Sequence, residues 1–287
     1  MTIGVTGASG ALGRLIATQL LDTVDDPAEV VLTSRTPDAL AEFAARGAQV
    51  RRADFSDPQT LGEAFAGVDK LLLISTDAVG TRLDEQRDAI AAAAGAGVRH
   101  VVYTSVPEPG PDNPALVSPD HFGTEQAMRD SGLAWTMLRN NLYTHMQIPI
   151  IEQAIAAGRH VDNSGDGRTA YVTREDCAAA AVAVLTQDGH ENKAYDITGP
   201  EAIDAAGLVA LAKDISGKDI ELVLVDDESY AAGLRSVGLP AEVADLITSF
   251  GAAKRAGLLA NVSTAVLDLT GTAPTALADV VRAAVKA

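Results

Sequence analysis

Between residues 5 and 14 the chain reads VTGASGALGR, which places Gly7, Gly10 and Gly13 in the spacing G-x-x-G-x-x-G. An apolar segment at 3–6 runs directly into this loop, and an amphipathic stretch at 11–22 leaves it. In that setting the first glycine permits a tight turn, the second lets backbone approach a pyrophosphate, and the third lets the following helix pack closely on a sheet. The free N–H groups at the start of that helix then face the anion. At the end of the second strand-like segment, an acid would bind a ribose 2′-hydroxyl and repel a 2′-phosphate. The sequence there is LTSRTP, with Ser34 and Arg35 in the acid's place. A guanidinium at that point pairs with a 2′-phosphate, so NADPH is expected over NADH; the alternative for Arg35 is a solvated surface charge. Asp54, in RRADFSD, is placed to accept from an adenine amino group with Phe55 flanking the ring, or else to cap the next helix. For Asp57 the cap is the better reading.

Ketone reduction would also call for a positioned acid. Classical short-chain dehydrogenases supply it from a tyrosine and a lysine four residues later. Here Tyr103, Tyr143, Tyr171, Tyr195 and Tyr230 are followed at that distance by Pro107, Gln147, Glu175, Gly199 and Leu234, so the pair is absent. The helix expected to carry it reads SPDHFGTEQAMRDSG and offers His121 and Glu125, one turn apart on one face. They could shuttle a proton or orient a substrate, or simply form a pair without chemistry. The five histidines form no i, i+4 pair and Cys177 is the single cysteine, so no metal site is expected. A G-x-S-x-G elbow and a G-K-[ST] loop are also missing.

Positioning these residues needs a layered scaffold, and the first half alternates as one. Strand-like segments at 3–6, 29–34, 49–54, 70–75, 100–105 and 134–139 are separated by helix-like stretches at 11–22, 37–46, 58–66, 81–95 and 120–131. Six βα units in succession predict an α/β fold, a Rossmann-type doubly wound parallel sheet. Past residue 145 come a helix at 147–157, a turn at 163–168, and a helix capped by Thr173. A strand at 194–198, a helix at 204–215, a strand at 220–225 and helices at 227–236, 240–256 and 274–285 complete the expected pattern. The division expected is an NADP-binding domain over 1–145, with 146–287 holding the remaining sheet elements and a small α/β cap lobe across a soft, interleaved boundary. With 22 basic and 39 acidic residues the net charge is −17, which disfavours nucleic acid and anionic membranes as partners. The absence of a leader-like segment, the lone cysteine and apolar runs too short to span a bilayer lead to a cytoplasmic expectation.

The segments TGASGALG, YTSVPEPGP, DHFGTEQAMRDSGLAWTMLRNNLYTHM, GDGRTAYVTREDCAAAAVAVL and LTGTAPTALADVV together resemble the atypical short-chain dehydrogenases. That group includes type 2 NADPH:quinone oxidoreductases, triphenylmethane-dye reductases and NmrA-like proteins, and the likeness runs nearly the whole chain. It implies a monomer or weak homodimer with NADP(H) across the strand ends and hydride transfer to a quinone-like or aromatic acceptor. By position it implies that Gly7, Ser9, Gly10, Ala11, Leu12 and Arg35 bind the pyrophosphate and 2′-phosphate. Ser75 and Thr76 would pass the ribose, and Asn140 and Tyr143 would flank the nicotinamide and acceptor. Members commonly read RNGWY where this chain has RNNLY, so Asn141 and Leu142 remove a large aromatic from a pocket wall. A quinone takes a hydride as a delocalised anion that water protonates later, so the missing Tyr and Lys pair is tolerable. In this reading Asn140 positions the carboxamide or acceptor oxygen, His121 or Tyr143 donates a proton, and Ser105, ending the fifth strand, bonds the acceptor or cofactor. The alternatives are a non-catalytic NmrA-like redox sensor and an isomerase or lyase using bound cofactor.

Overall fold

The computed structural model describes residues 1–76 and 80–285. The first half runs β1 (Ile3–Val5), α1 (Ala11–Thr23), β2 (Val30–Ser34), α2 (Ala41–Ala45), β3 (Gln49–Arg52), α3 (Leu61–Phe65), β4 (Lys70–Leu73), α4 (Arg82–Gly95), β5 (His100–Ser105), α5 (Ser118–Asp130) and β6 (Ala134–Asn140). The second half runs α6 (Gln147–Ala157), β7 (Arg159–Asp162), α7 (Arg174–Thr186), β8 (Lys193–Ile197), α8 (Ala205–Ser216), β9 (Glu221–Leu224), α9 (Asp227–Ser236), α10 (Ala241–Arg255), α11 (Ala265–Thr270) and α12 (Leu277–Ala284). Seven parallel strands form one sheet in the order β3-β2-β1-β4-β5-β6-β8. β7 and β9 pair separately as a parallel two-stranded sheet.

Each residue of β1, β2, β4 and β5 is buried, as continuous apolar strands covered on both faces must be. On one face Leu12, Ile16 and Leu20 of α1 join Ala180, Val184 and Leu185 of α7 and Val266 of α11. On the other, Phe65 of α3, Ile90 of α4 and Met128 of α5 pack on Leu71, Val101 and Met137. The alanine-rich α7 is buried nearly all round because it is sandwiched between the sheet, α1 and α11, where small side chains permit close approach. Thr173 caps it as expected, its side chain accepting from the Asp176 N–H at 2.9 Å. At its other end the buried Lys70 ammonium donates to the Val184 and Gln187 carbonyls at 3.1 and 3.0 Å.

A third cluster joins Ile151 and Ala154 of α6, Leu208 and Leu211 of α8 and Val281 of α12, and makes the core of a small lobe. A fourth joins Ala115 and Val117, which follow β5, to Ala253 of α10 and Leu259, bringing the lobe against the strand ends. The expected helices at 37–46 and 58–66 are shorter than read: each opens with a 3-10 turn starting at a proline, Pro37 or Pro58, before α2 or α3 begins. The strand β7 was not expected in RHVD, where only His160 and Asp162 are buried, nor was the six-residue α11.

Candidate functional site

The carboxyl ends of β1, β2, β4, β5 and β6 share one edge of the sheet. Strand order reverses between β1 and β4, the place where an open α/β sheet has its ligand crevice. The glycine loop stands there. Gly7 has φ +59°, in the left-handed region, and its carbonyl accepts from the Gly10 N–H at 3.0 Å. The Ala8 N–H donates to the Thr33 carbonyl at 3.0 Å, tying the loop to β2. A Cβ on Gly13 would stand 2.3 Å from the Gly7 carbonyl oxygen and 2.7 Å from the Ala8 Cα, so α1 approaches the loop only with glycine there. Gly10 is the N-cap of α1 and gives no side-chain cap, and the first turn carries no acid. The turn formed by Ala11, Leu12 and Gly13 therefore keeps its amide donors and positive end for an anion.

Beside this loop the Ser9 and Ser34 hydroxyls lie 2.9 Å apart, and Ser34 Oγ accepts from the Thr36 N–H at 3.1 Å. Arg35 is exposed and makes no ion pair among the described residues. Asp54 and Phe55 are half-buried next to β3. Asp54 Oδ1 accepts from the Ser56 hydroxyl at 2.7 Å and its N–H at 3.2 Å, and Arg52 is close to the other oxygen. The Ser56 hydrogen bond leads the causes that hold this carboxyl below its ordinary range, burial opposes them, and Arg52 and Arg35 assist. Asp57 is at the N-cap of the next 3-10 turn but makes no cap with its side chain; the expected cap is corrected to a contact with Arg52 at 3.5 Å.

Ser75 and Thr76, just past β4, are half-buried; the Ser75 N–H donates to Thr104 Oγ1 at 2.9 Å, and Thr76 Oγ1 is buried without a partner among the described residues. Asn140, ending β6, is 7% exposed, and its Oδ1 is buried without a partner among the described residues. A buried amide oxygen left open is costly unless something else occupies it. Tyr143 follows, half-buried, bridged to Val172 and lying under the Arg174 guanidinium at 5.4 Å. Burial pushes its phenol up and the nearby Cys177 adds to this, while Asn140 and Arg174 oppose them, so at neutral pH the hydroxyl keeps its proton.

With the crevice, cradle and open amide in place, their likeness to known proteins is specific. The profile of the NAD(P)H-binding family matches residues 7–188. The chain belongs to that family. It is 36% identical to Quinone oxidoreductase 2 of Escherichia coli over 277 residues, covering 96% of each chain. The NADPH-dependent quinone oxidoreductase of Escherichia coli solved in complex with NADPH superposes with a TM-score of 0.93, over 98% of both chains. The triphenylmethane reductase of Citrobacter sp. complexed with NADP(H) superposes at 0.91 with 30% identity, covering 99% of this chain and 100% of the other. The NAD(P)H-binding fold and an NADP(H) cofactor follow, and the loop, the Ser9–Ser34 pair, Arg35 and the open Asn140 oxygen fit such a dinucleotide.

Within this family member the expected His121 and Glu125 pair does not exist as a pair. Both are buried, but they face different partners. Arg82 has only donors, so its contact at 3.2 Å makes His121 Nε2 the acceptor and leaves the proton on Nδ1. Nδ1–H then donates to Tyr103 Oη at 2.7 Å, and the Tyr103 hydroxyl donates to Gln86 Oε1 at 2.9 Å. Burial, with Arg82 second, pushes the imidazole down to about 3. A group that is neutral and fully engaged at pH 7 is a poor proton donor, which counts against the expected role of His121. Glu125, 1% exposed, accepts instead from Ser105 Oγ at 2.8 Å, from Arg139 Nε and Nη2 at 3.0 and 2.8 Å, and from Arg129 at 2.8 Å. Ser105 is 3% exposed and its hydroxyl proton is committed to Glu125, which leaves only its lone pairs for the expected bond to an acceptor or cofactor.

The two departures from RNGWY also have defined places. Asn141 is 3% exposed; its Nδ2 donates to the Leu259 carbonyl at 3.0 Å and its Oδ1 accepts from the Leu142 N–H at 2.8 Å. Leu142 is half-buried and packs against both the lobe core and the Val117–Leu259 cluster. Sequence reasoning missed Arg82, Gln86 and Arg139, which carry no local motif and become partners only when α4 and β6 are laid beside α5.

Proposed function

We propose that the chain is an NADPH-dependent reductase whose acceptors are quinones, dyes and similar electron-poor conjugated molecules. One observation carries the acceptor class. Where a Tyr and Lys pair would stand, α5 presents a neutral His121 held by Arg82 and Tyr103 and a Glu125 whose charge is matched by the bidentate Arg139. Such a site lacks a strong free acid and suits an acceptor whose reduced form does not need one at once. When bound, NADPH supplies the hydride that reduces the acceptor. The loop amides and Arg35 grip the phosphates, and the Asn140 amide orients the carboxamide or an acceptor oxygen. The Tyr143 hydroxyl donates a hydrogen bond to that oxygen. Positioning of this kind is worth roughly 7 to 11 kcal/mol of a barrier, more than a proton donor's effect of about 10² to 10⁴ in rate.

The same proposal includes a cytoplasmic monomer or weak homodimer, and one that binds no nucleic acid, the last supported by the charge of −17. Among the described residues no helix is long and apolar enough to cross a membrane. It also includes the division at 145/146, with β8, α7 and α11 returning to the first unit. The test is NADPH absorbance with menadione, a small benzoquinone and a triphenylmethane dye. Decay above background with at least one acceptor is expected. NADPH uptake by calorimetry without consumption of any of them would favour a sensor, and no uptake at all would remove the reading.

A further inference from the structure

We propose that Glu125 is a positioning residue of the reaction: through Ser105 and Arg139 it clamps the ends of β5 and β6 together and so fixes the Asn140 amide beside the nicotinamide. This rests on the reductase reading above. Ser105 and Arg139 are opposite one another in the parallel register of β5 and β6 and are the last residues so paired. One carboxylate reaches both. Oε1 accepts from the Ser105 hydroxyl and from Arg139 Nε, and Oε2 from Arg139 Nη2. The Arg139 contact is two-toothed, the arrangement that holds a guanidinium in orientation as well as in place.

Asn140 is the next residue of β6. Side chains alternate along a strand, so Arg139 is gripped on the α5 face while Asn140 is presented on the other. Asn140 is buried, its amide lies against the Tyr143 phenol, and among the described residues its Oδ1 makes no hydrogen bond, so the strand and Tyr143 together set where that oxygen points. Val106, the first residue beyond Ser105, packs in one cluster with Leu142 and with Phe250 of α10, so the same clamp anchors the start of that segment. Arg129 meets Glu125 from the exposed side of α5, stacks at 5.2 Å on Trp135 near the start of β6, and makes no hydrogen bond to Ser105 or Arg139 among the described residues. It balances charge without taking part in the clamp.

The experiment compares E125Q, S105A and R129M in the full chain by two readouts. Fluorescence of bound NADPH reports how firmly the nicotinamide is held and needs no acceptor. Steady-state turnover with menadione, using protio and 4-deutero NADPH, reports hydride transfer. E125Q is expected to lower kcat by about tenfold to hundredfold, the cost of a misplaced reacting group, with KM for NADPH within about twofold. Its isotope effect on kcat is expected to rise and its bound-NADPH emission to fall. S105A, a small change that keeps the ion pairs and carries the test if E125Q does not fold, is expected to move each readout in the same direction by about threefold. R129M is expected to leave both within about twofold of the parent. Equal behaviour of S105A and R129M in both readouts overturns the clamp, as does a folded E125Q with parental kcat and emission. A parent that binds NADPH but turns over no acceptor counts against the reductase reading alone, and the emission comparison still decides the clamp.

Discussion

Arg35 is the residue on which cofactor choice rests. Exposed, without an ion pair among the described residues, and next to the Ser9 and Ser34 hydroxyls, it has its donors available for a 2′-phosphate. A charged hydrogen bond is worth about 1.5 to 3 kcal/mol, so Arg35→Glu is expected to raise KM for NADPH by about tenfold or more and leave NADH nearly untouched. Parallel titrations of the two cofactors check this, and unchanged discrimination removes the assignment. His121 illustrates the opposite case. Its spacing from Glu125 put both on one face of a helix, which was legible, but their roles depend on Arg82, Tyr103 and Arg139 from three other elements, which was not. With the imidazole held near 3, the pH profile of kcat is expected to show no His121 limb between pH 5 and 8. Loss of a limb near 6.5 in His121→Gln would contradict this.

At the scale of elements, the βα alternation and the glycine loop were readable because each obeys a local rule: apolar runs for buried strands, and glycine where a helix crowds a turn. α7 was readable for the same reason, through Thr173. The 3-10 openings of α2 and α3 and the strand β7 were not, since short segments with mixed burial give no clear period. The contact of α1 with its loop leads to a definite expectation. Gly13→Val would place side-chain atoms inside the Gly7 carbonyl and the Ala8 Cα, and both are backbone. The helix must move, at a cost of about 1 to 3 kcal/mol. Calorimetry is expected to find NADPH affinity reduced more than tenfold and thermal scans a lower Tm; unimpaired uptake would show that the helix end does not hold the pyrophosphate.

For the whole molecule, two buried histidines at different places predict acid sensitivity. Burial, then Arg82, holds His121 down to about 3; burial, then Lys70, holds His100 down to about 4. Their unfolded values are near 6.5, so between these limits the unfolded chain binds more protons and stability rises with pH. The contribution is complete above about pH 6.5 and is lost as pH falls toward 4. At pH 5 unfolding is expected to take up about two protons through these groups, and His121→Gln to reduce that by about one. Denaturant midpoints measured from pH 4.5 to 7 give the slope, and a flat profile would refute it.

The return of α7 and β8 to the first layer has a practical corollary for anyone cutting this gene. A fragment ending at residue 145 keeps the glycine loop and every strand through β6. It leaves that last strand with a bare hydrogen-bonding edge where Lys193–Ile197 belonged, and strips the apolar flank of α1 of its alanine-rich cover. Such a half should precipitate rather than serve as a portable nucleotide module, whereas the full chain should stay dispersed; light scattering of the two would tell them apart.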